Sequence, residues 1–148
     1  MDGYGANGQI AATTAAPGDT ALGIIASTLT RAKLDFFEVS TGGIVADNIP
    51  QWLIRRFTVV GTSTAVTPVP DDPAAPASQL SAGEEYSAEP TYGVELFDFQ
   101  LHQRSIYQWN AKPGAEKVIP ATANNGIGFT PISAAFAGVA KVVAHWIE

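Results

Sequence analysis

Two histidines, His102 and His145, and four carboxylates on strand-like stretches, Asp35, Glu38, Glu95 and Asp98, are the side chains best suited to catalysis or metal binding. A zinc site usually draws its ligands from short fixed spacings, and the two histidines are far apart, with no Glu-x-x-His or Asp-x-His arrangement around either. The four carboxylates could pair across a groove as a glycosidase requires, but any acidic β protein offers such pairs. The chain has no cysteine and no serine in a Gly-x-Ser-x-Gly elbow, so nucleophilic hydrolysis has no visible constellation. Asn124-Asn125-Gly126-Ile127-Gly128 carries the glycines of a phosphate loop without its lysine, and reads as a turn. Trp52, Trp109 and Trp146 are isolated on strand-like segments, where core or subunit contact is the expectation over sugar stacking. No catalytic residue, cofactor or metal is expected, and the chain reads as a non-enzyme.

The elements that position these residues are β-type. Val94 to His102 mixes β-formers with charges and places Glu95, Phe97, Phe99 and Leu101 on one pleat face. Ser105 to Asn110 alternates again, with Tyr107 and Trp109 opposite Ile106 and Gln108, before Pro113-Gly114 turns the chain. Glu116 to Ile119 predicts a short strand, and Gly126 to Thr130 another after the Asn-Asn-Gly turn. Ala134 to Glu148 is alanine-rich, yet Gly138 and its β-branched valines favour a long closing strand over a helix. Earlier in the chain, a strand is expected within Asp19 to Thr30 and another from Lys33 to Val39. The latter is closed by Ser40-Thr41-Gly42-Gly43, with Ile44-Val45-Ala46 as a hairpin partner. Gln51 to Val66 predicts one strand, a bend at Gly61 and a second extended piece. Short strands and turns without a convincing helix predict an all-β antiparallel sandwich or barrel, covering residues 19–148 as a single domain.

Two stretches stand apart. Residues 1–18 are Gly-, Ala-, Asn- and Thr-rich without a periodicity that buries a face. They predict a flexible N-terminal arm, ordered against a neighbouring subunit or back on its own chain. Residues 68–90 hold five prolines and five acids with no Lys or Arg, and predict a long exposed Pro-rich acidic loop, either a projecting clamp or a solvated insertion. Outside that stretch nine acids face eight bases, so the net charge of −6 is concentrated there. The lack of a basic field argues against direct nucleic-acid binding. No apolar run is long enough for a transmembrane helix, and the first residues lack the pattern of a signal peptide, so synthesis in the cytoplasm is expected. Charged residues are only 15% of the chain against 46% apolar, a balance suited to surface buried against copies or partners.

The run from Tyr107 to Gly128, with Ala144-His145-Trp146-Ile147-Glu148 closing the chain, resembles the C-terminal half of small β-sandwich proteins encoded among tailed-bacteriophage head genes, the capsid decoration or cement proteins. The resemblance implies a jelly-roll-like sandwich and a homo-oligomer, often a trimer. It also implies binding to the major capsid protein on the outer surface of the virion. The alternative from another class is a tail, fibre or baseplate adhesion module that binds host glycans through exposed aromatics. On the decoration reading the interface residues are expected in the arm, around Tyr4 and Ile10, and in the loop, around Asp71 and Glu84.

Overall fold

The computed structural model describes residues 1–11, 19–44, 47–133 and 138–148. They form two antiparallel sheets packed as a β-sandwich. Sheet A contains β1 (Gly3–Ala11), β3 (Ala32–Gly43), β6 (Val69–Pro70), β9 (Tyr107–Asn110), β10 (Lys117–Ile119) and β12 (Gly138–Ile147). Its order is β10-β3-β12-β1-β6, with β9 following β10 along the outer edge of β3. Sheet B contains β2 (Leu22–Ile25), β4 (Gln51–Val59), β5 (Thr62–Val66), β7 (Ser81–Ala88), β8 (Thr91–Gln100) and β11 (Gly126–Ile132), in the order β5-β7-β2-β11-β4-β8.

The flexible arm expected at the N-terminus is corrected over residues 3–11. Every residue of β1 is in register with β12, from Gly3 opposite Ile147 to Ala11 opposite Val139. Tyr4, Ala6 and Ile10 are buried in the core, so the two residues expected at an interface instead hold the sandwich together. Local composition hides this because the side chains of β1 are small and the partner strand supplies the apolar mass. Residues 12–18 of the expected arm lie outside the described residues.

Period-two burial builds the core. Alternate residues Ala140, Val142, Ala144 and Trp146 of β12 point inward beside Tyr4 and Ile10, and meet Leu22, Ile24, Trp52, Ile54, Ile127 and Phe129 of sheet B. Phe37 of β3 joins the layers, with its ring centroid 5.4 Å from Phe129 across the sandwich and 5.4 Å from Trp109 on β9. Trp52 and Trp146 have no exposed surface and Trp109 packs on Phe37 and Phe97.

Two bulges change which face a residue serves. On β3, Phe36 pairs with His145 and Leu34 with Trp146, so Asp35 is the extra residue. The parity of β3 shifts there, with Leu34 and then Phe37 inward. On β8, Phe97 pairs with Ile54 and Glu95 with Arg55, leaving Leu96 extra. Glu95, expected on the face of Phe97, is therefore exposed. The expected hairpin partner after β3 is also corrected. Ser40 to Gly43 continue the strand, paired with Lys141 to Gly138 of β12, and Ile44 follows as an exposed bend. Val45 and Ala46 lie outside the described residues.

The 68–90 loop is shorter than expected. Val69–Pro70 pairs with β1, and Ser81–Ala88 is an inner strand between β5 and β2. Between Pro76 and Pro90 there is no proline to break pairing, and Leu80, Ala82 and Tyr86 there are buried. The remaining 71–80 segment lies against sheet A. Tyr4 Oη donates to the Pro76 carbonyl at 3.0 Å, and the Glu148 carboxylate accepts from Ser78 Oγ and from the Gln79 and Leu80 amides.

Tyr4 serves both the core and this strap, and graded substitutions separate the roles. Thermal or chemical denaturation is expected to show Tyr4→Ala losing about 3–5 kcal/mol, as for a buried aromatic. Tyr4→Phe, which removes only the bond to Pro76, is expected to lose about 0.5–1.5 kcal/mol. A Tyr4→Ala loss below that of Tyr4→Phe contradicts the buried placement.

Candidate functional site

Sheet B encloses a second, smaller interior. β4 continues into β5 and β7 into β8, so the four are two halves of one long antiparallel hairpin, bent at Val60-Gly61 and at Glu89-Pro90. The half containing β7 pairs with β2 and the half containing β4 pairs with β11, so the hairpin folds over the outer face of those two strands. Gly61 permits the crossing: a Cβ there would stand 1.9 Å from the Ala88 carbonyl oxygen. The outer faces of β2 and β11 are bare where the hairpin's aromatics lie on them. A Cβ on Gly23 would meet Tyr86, one on Gly126 would meet Phe57, and one on Gly128 would meet Tyr92.

At the bend this interior becomes polar. Glu89 accepts from the Thr20 amide at 2.9 Å and from the Thr20 hydroxyl. That hydroxyl also meets Tyr92 Oη, and lies 3.3 Å from Thr130 Oγ1. The Arg55 guanidinium sits 3.8 Å over the Tyr92 ring and donates to Thr130 Oγ1 at 3.4 Å. Thr20 and Thr130 are completely buried. Burial pushes the Glu89 carboxyl above the ordinary range, against the opposing Thr20 hydrogen bonds and the Arg55 charge. Burial likewise raises the Tyr92 phenol, and pushes that of Tyr86 up to about 12. A threonine beside a carboxylate has the parts of an activated nucleophile, but here the Thr20 and Thr130 hydroxyls are bonded to neighbours and closed off from solvent. The arrangement ties the entry of β2 to the hairpin bend.

Of the residues singled out in the sequence, Asp35, Asp71 and His145 meet, and the others stand apart. Asp35 and Glu38 lie on β3 of sheet A, while Glu95 and Asp98 lie on β8 at the edge of sheet B. Each of three has its own partner: Asp35 meets His145, Glu38 accepts from Gln108 and Asp98 accepts from Gln51 Nε2 at 2.7 Å. They do not make the facing pair that glycoside hydrolysis needs. His102 lies 3.7 Å from Asp47 on the surface, whereas His145 is on the outer face of β12 between Asp35 and Asp71. Among the described residues no group of three or more His, Cys, Asp or Glu is arranged to hold a metal ion. Asn124 takes a left-handed conformation at φ 65° in the turn before β11.

The expected interface residues fall in different settings. Tyr4 and Ile10 are core residues, and the Glu84 carboxylate accepts from the Gln9 amide on the free edge of β1 at 2.9 Å. Asp71 is exposed on one side but bonded to His145 on the other. The Thr20 and Glu89 cluster was missed in the sequence because its members are separated by up to 110 positions. One local signal existed: the alternation Gly126-Ile127-Gly128-Phe129-Thr130 marks a strand whose second face is covered closely by other residues.

The half-buried carboxyl gives a pH test with a definite sign. A raised folded-state pKa means that the stability tied to Glu89 is fully present below its unfolded value and is lost as pH rises through the folded value. Thermal melts of Glu89→Gln are expected to fall less than the parent's between about pH 4 and pH 7. Parallel curves would show that Glu89 is not held in the folded state. Compared with known protein families, curated proteins and solved structures, the chain matches none.

Proposed function

We propose that the chain is a virion structural protein, a capsid decoration or cement protein that binds the outer surface of a phage head and bridges major capsid protein subunits. The observation that carries this reading is an apolar corner where the two sheets meet. Ile44, Ile49 and Ile106 are 84%, 57% and 63% exposed there. Gln103 draws their segments together, its side chain donating to the Ile44 carbonyl at 2.8 Å and its amide to the Asn48 carbonyl at 2.9 Å. A shallow groove of ≈ 660 Å³ runs beside Ile106, lined by Ser40 to Gly43 and Gln103 to Ser105. Branched side chains held in water on a pinned backbone lose little freedom when covered, which favours protein contact.

Two further features support the same reading. Asp35, Glu38, Asp98 and both histidines have partners within the fold, and charge density is low. The resemblance of the last third to decoration proteins then supplies the partner, the major capsid protein, and self-association around a local axis as a trimer. The adhesion alternative draws no support from Trp52 and Trp146, which are fully buried, and Trp109 is partly buried against Phe37 and Phe97.

The test is co-sedimentation with purified heads lacking decoration protein. Wild-type chain is expected to bind and to raise the heads' resistance to heat. The double variant Ile44→Asp, Ile106→Asp is expected to lose at least about tenfold in affinity, which is about 1.4 kcal/mol, with stability within about 0.5 kcal/mol because both sites are on the surface. Wild-type chain that fails to bind heads, or a variant that binds them equally well, contradicts the proposal.

A further inference from the structure

We propose that His145 is an imidazolium latch that fastens the acidic turn after β6 onto sheet A, and that loss of one ring proton releases that turn. His145 Nδ1 lies 2.6 Å from Asp35 Oδ1, and Nε2 lies 2.7 Å from Asp71 Oδ2. A carboxylate only accepts, and neutral imidazole carries a single N–H. One of these contacts would then set a nitrogen lone pair against a carboxylate oxygen, so the doubly protonated ring is the form that satisfies both.

Three independent features build the latch. The β3 bulge makes Asp35 the extra residue beside His145, bringing its carboxylate to Nδ1. Glycine at position 3 leaves the space in which Asp71 reaches the ring: a Cβ there would stand 2.2 Å from Asp71 Oδ2 and 2.8 Å from His145 Nε2. The Asp71 amide donates to the Gly3 carbonyl at 2.9 Å, so backbone and side chain of the turn are held together.

The charged groups facing the ring are Asp35 from β3 and Asp71 from the turn; β1 presents Gly3 and Gly5, and the residues of β12 on the same outer face beside His145 are Val143 and Ile147. Partial burial works against charge on His145, but hydrogen bonds and attraction from the two aspartates outweigh it, and its pKa lies above 6.5. The latch is therefore closed below that ordinary value and opens as pH rises through the raised one. Asp71 is the contact that gives way, because its side chain is 61% exposed against 27% for Asp35. Glu148 and Tyr4 hold Pro76 to Leu80 by separate bonds, so the freed piece is Asp71 to Ala75. This inference is independent of the capsid reading.

The experiment follows the His145 ring and the backbone amides by NMR from about pH 5 to pH 9, with His102→Gln assigning the ring signal. The protection factor of the Asp71 amide is expected to fall about tenfold across the His145 titration, while that of Leu80 stays level. Asp71→Asn is expected to lower the His145 midpoint and abolish the step, and Gly3→Ala to do the same by occupying the space. A flat Asp71 protection factor through the titration, or an unmoved midpoint in Asp71→Asn, would overturn the proposal.

Discussion

The pairing of β1 with β12 is the constraint on which the rest of the molecule depends. It places a strand of Gly, Ala, Asn and Gln beside a strand carrying Val142, Ala144 and Trp146, so that one face of each enters a shared core. Long-range pairing costs loop-closure entropy before any contact repays it. Here the return is the whole inner half of sheet A: without β1, the Trp146 ring loses the stacked Tyr4 and β12 becomes an open edge. The 71–80 segment depends on the same pair, since its anchors are Gly3, Tyr4, His145 and Glu148.

A second economy operates in sheet B. A single sandwich layer would leave the outer faces of β2 and β11 to water, but the bent hairpin covers them with Phe57, Tyr86 and Tyr92 lying on glycines. Covering that face buries Thr20 and Thr130 and half-buries Glu89, and each must then find hydrogen-bond partners inside. The cluster at the bend is what those requirements produce. A reactive-looking threonine and carboxylate are thus explained by packing.

Strand identity was legible wherever alternation is local. β8, β9, β11, β12 and the β4-to-β5 bend at Gly61 all follow from period-two patterns and turn residues. What escaped depends on distant partners. Residues 3–11 carry only a faint alternation, Tyr4, Ala6 and Ile10 diluted by glycines, and pairing with β12 makes them a strand. Ser81 to Ala88 was hidden by the prolines that precede it, although Leu80, Ala82 and Tyr86 keep an alternating apolar face. The bulges at Asp35 and Leu96 shift parity by one residue, which no alternation rule anticipates, and so moved Glu95 to the surface and Asp35 to His145. The candidate site was illegible for the same reason, because Thr20, Glu89 and Thr130 meet only after the hairpin folds over.

Native-state hydrogen exchange of β1 tests the central pairing most directly. The reciprocal bonds between Asp2 and Glu148 set the phase of the ladder, so the amides of Tyr4, Ala6, Gly8 and Ile10 point to β12. These four amides are expected to exchange only with global unfolding, at the same free energy as those of Val142 and Ala144. Exchange of the β1 amides at rates near those of an open chain, while β12 stays protected, would contradict it.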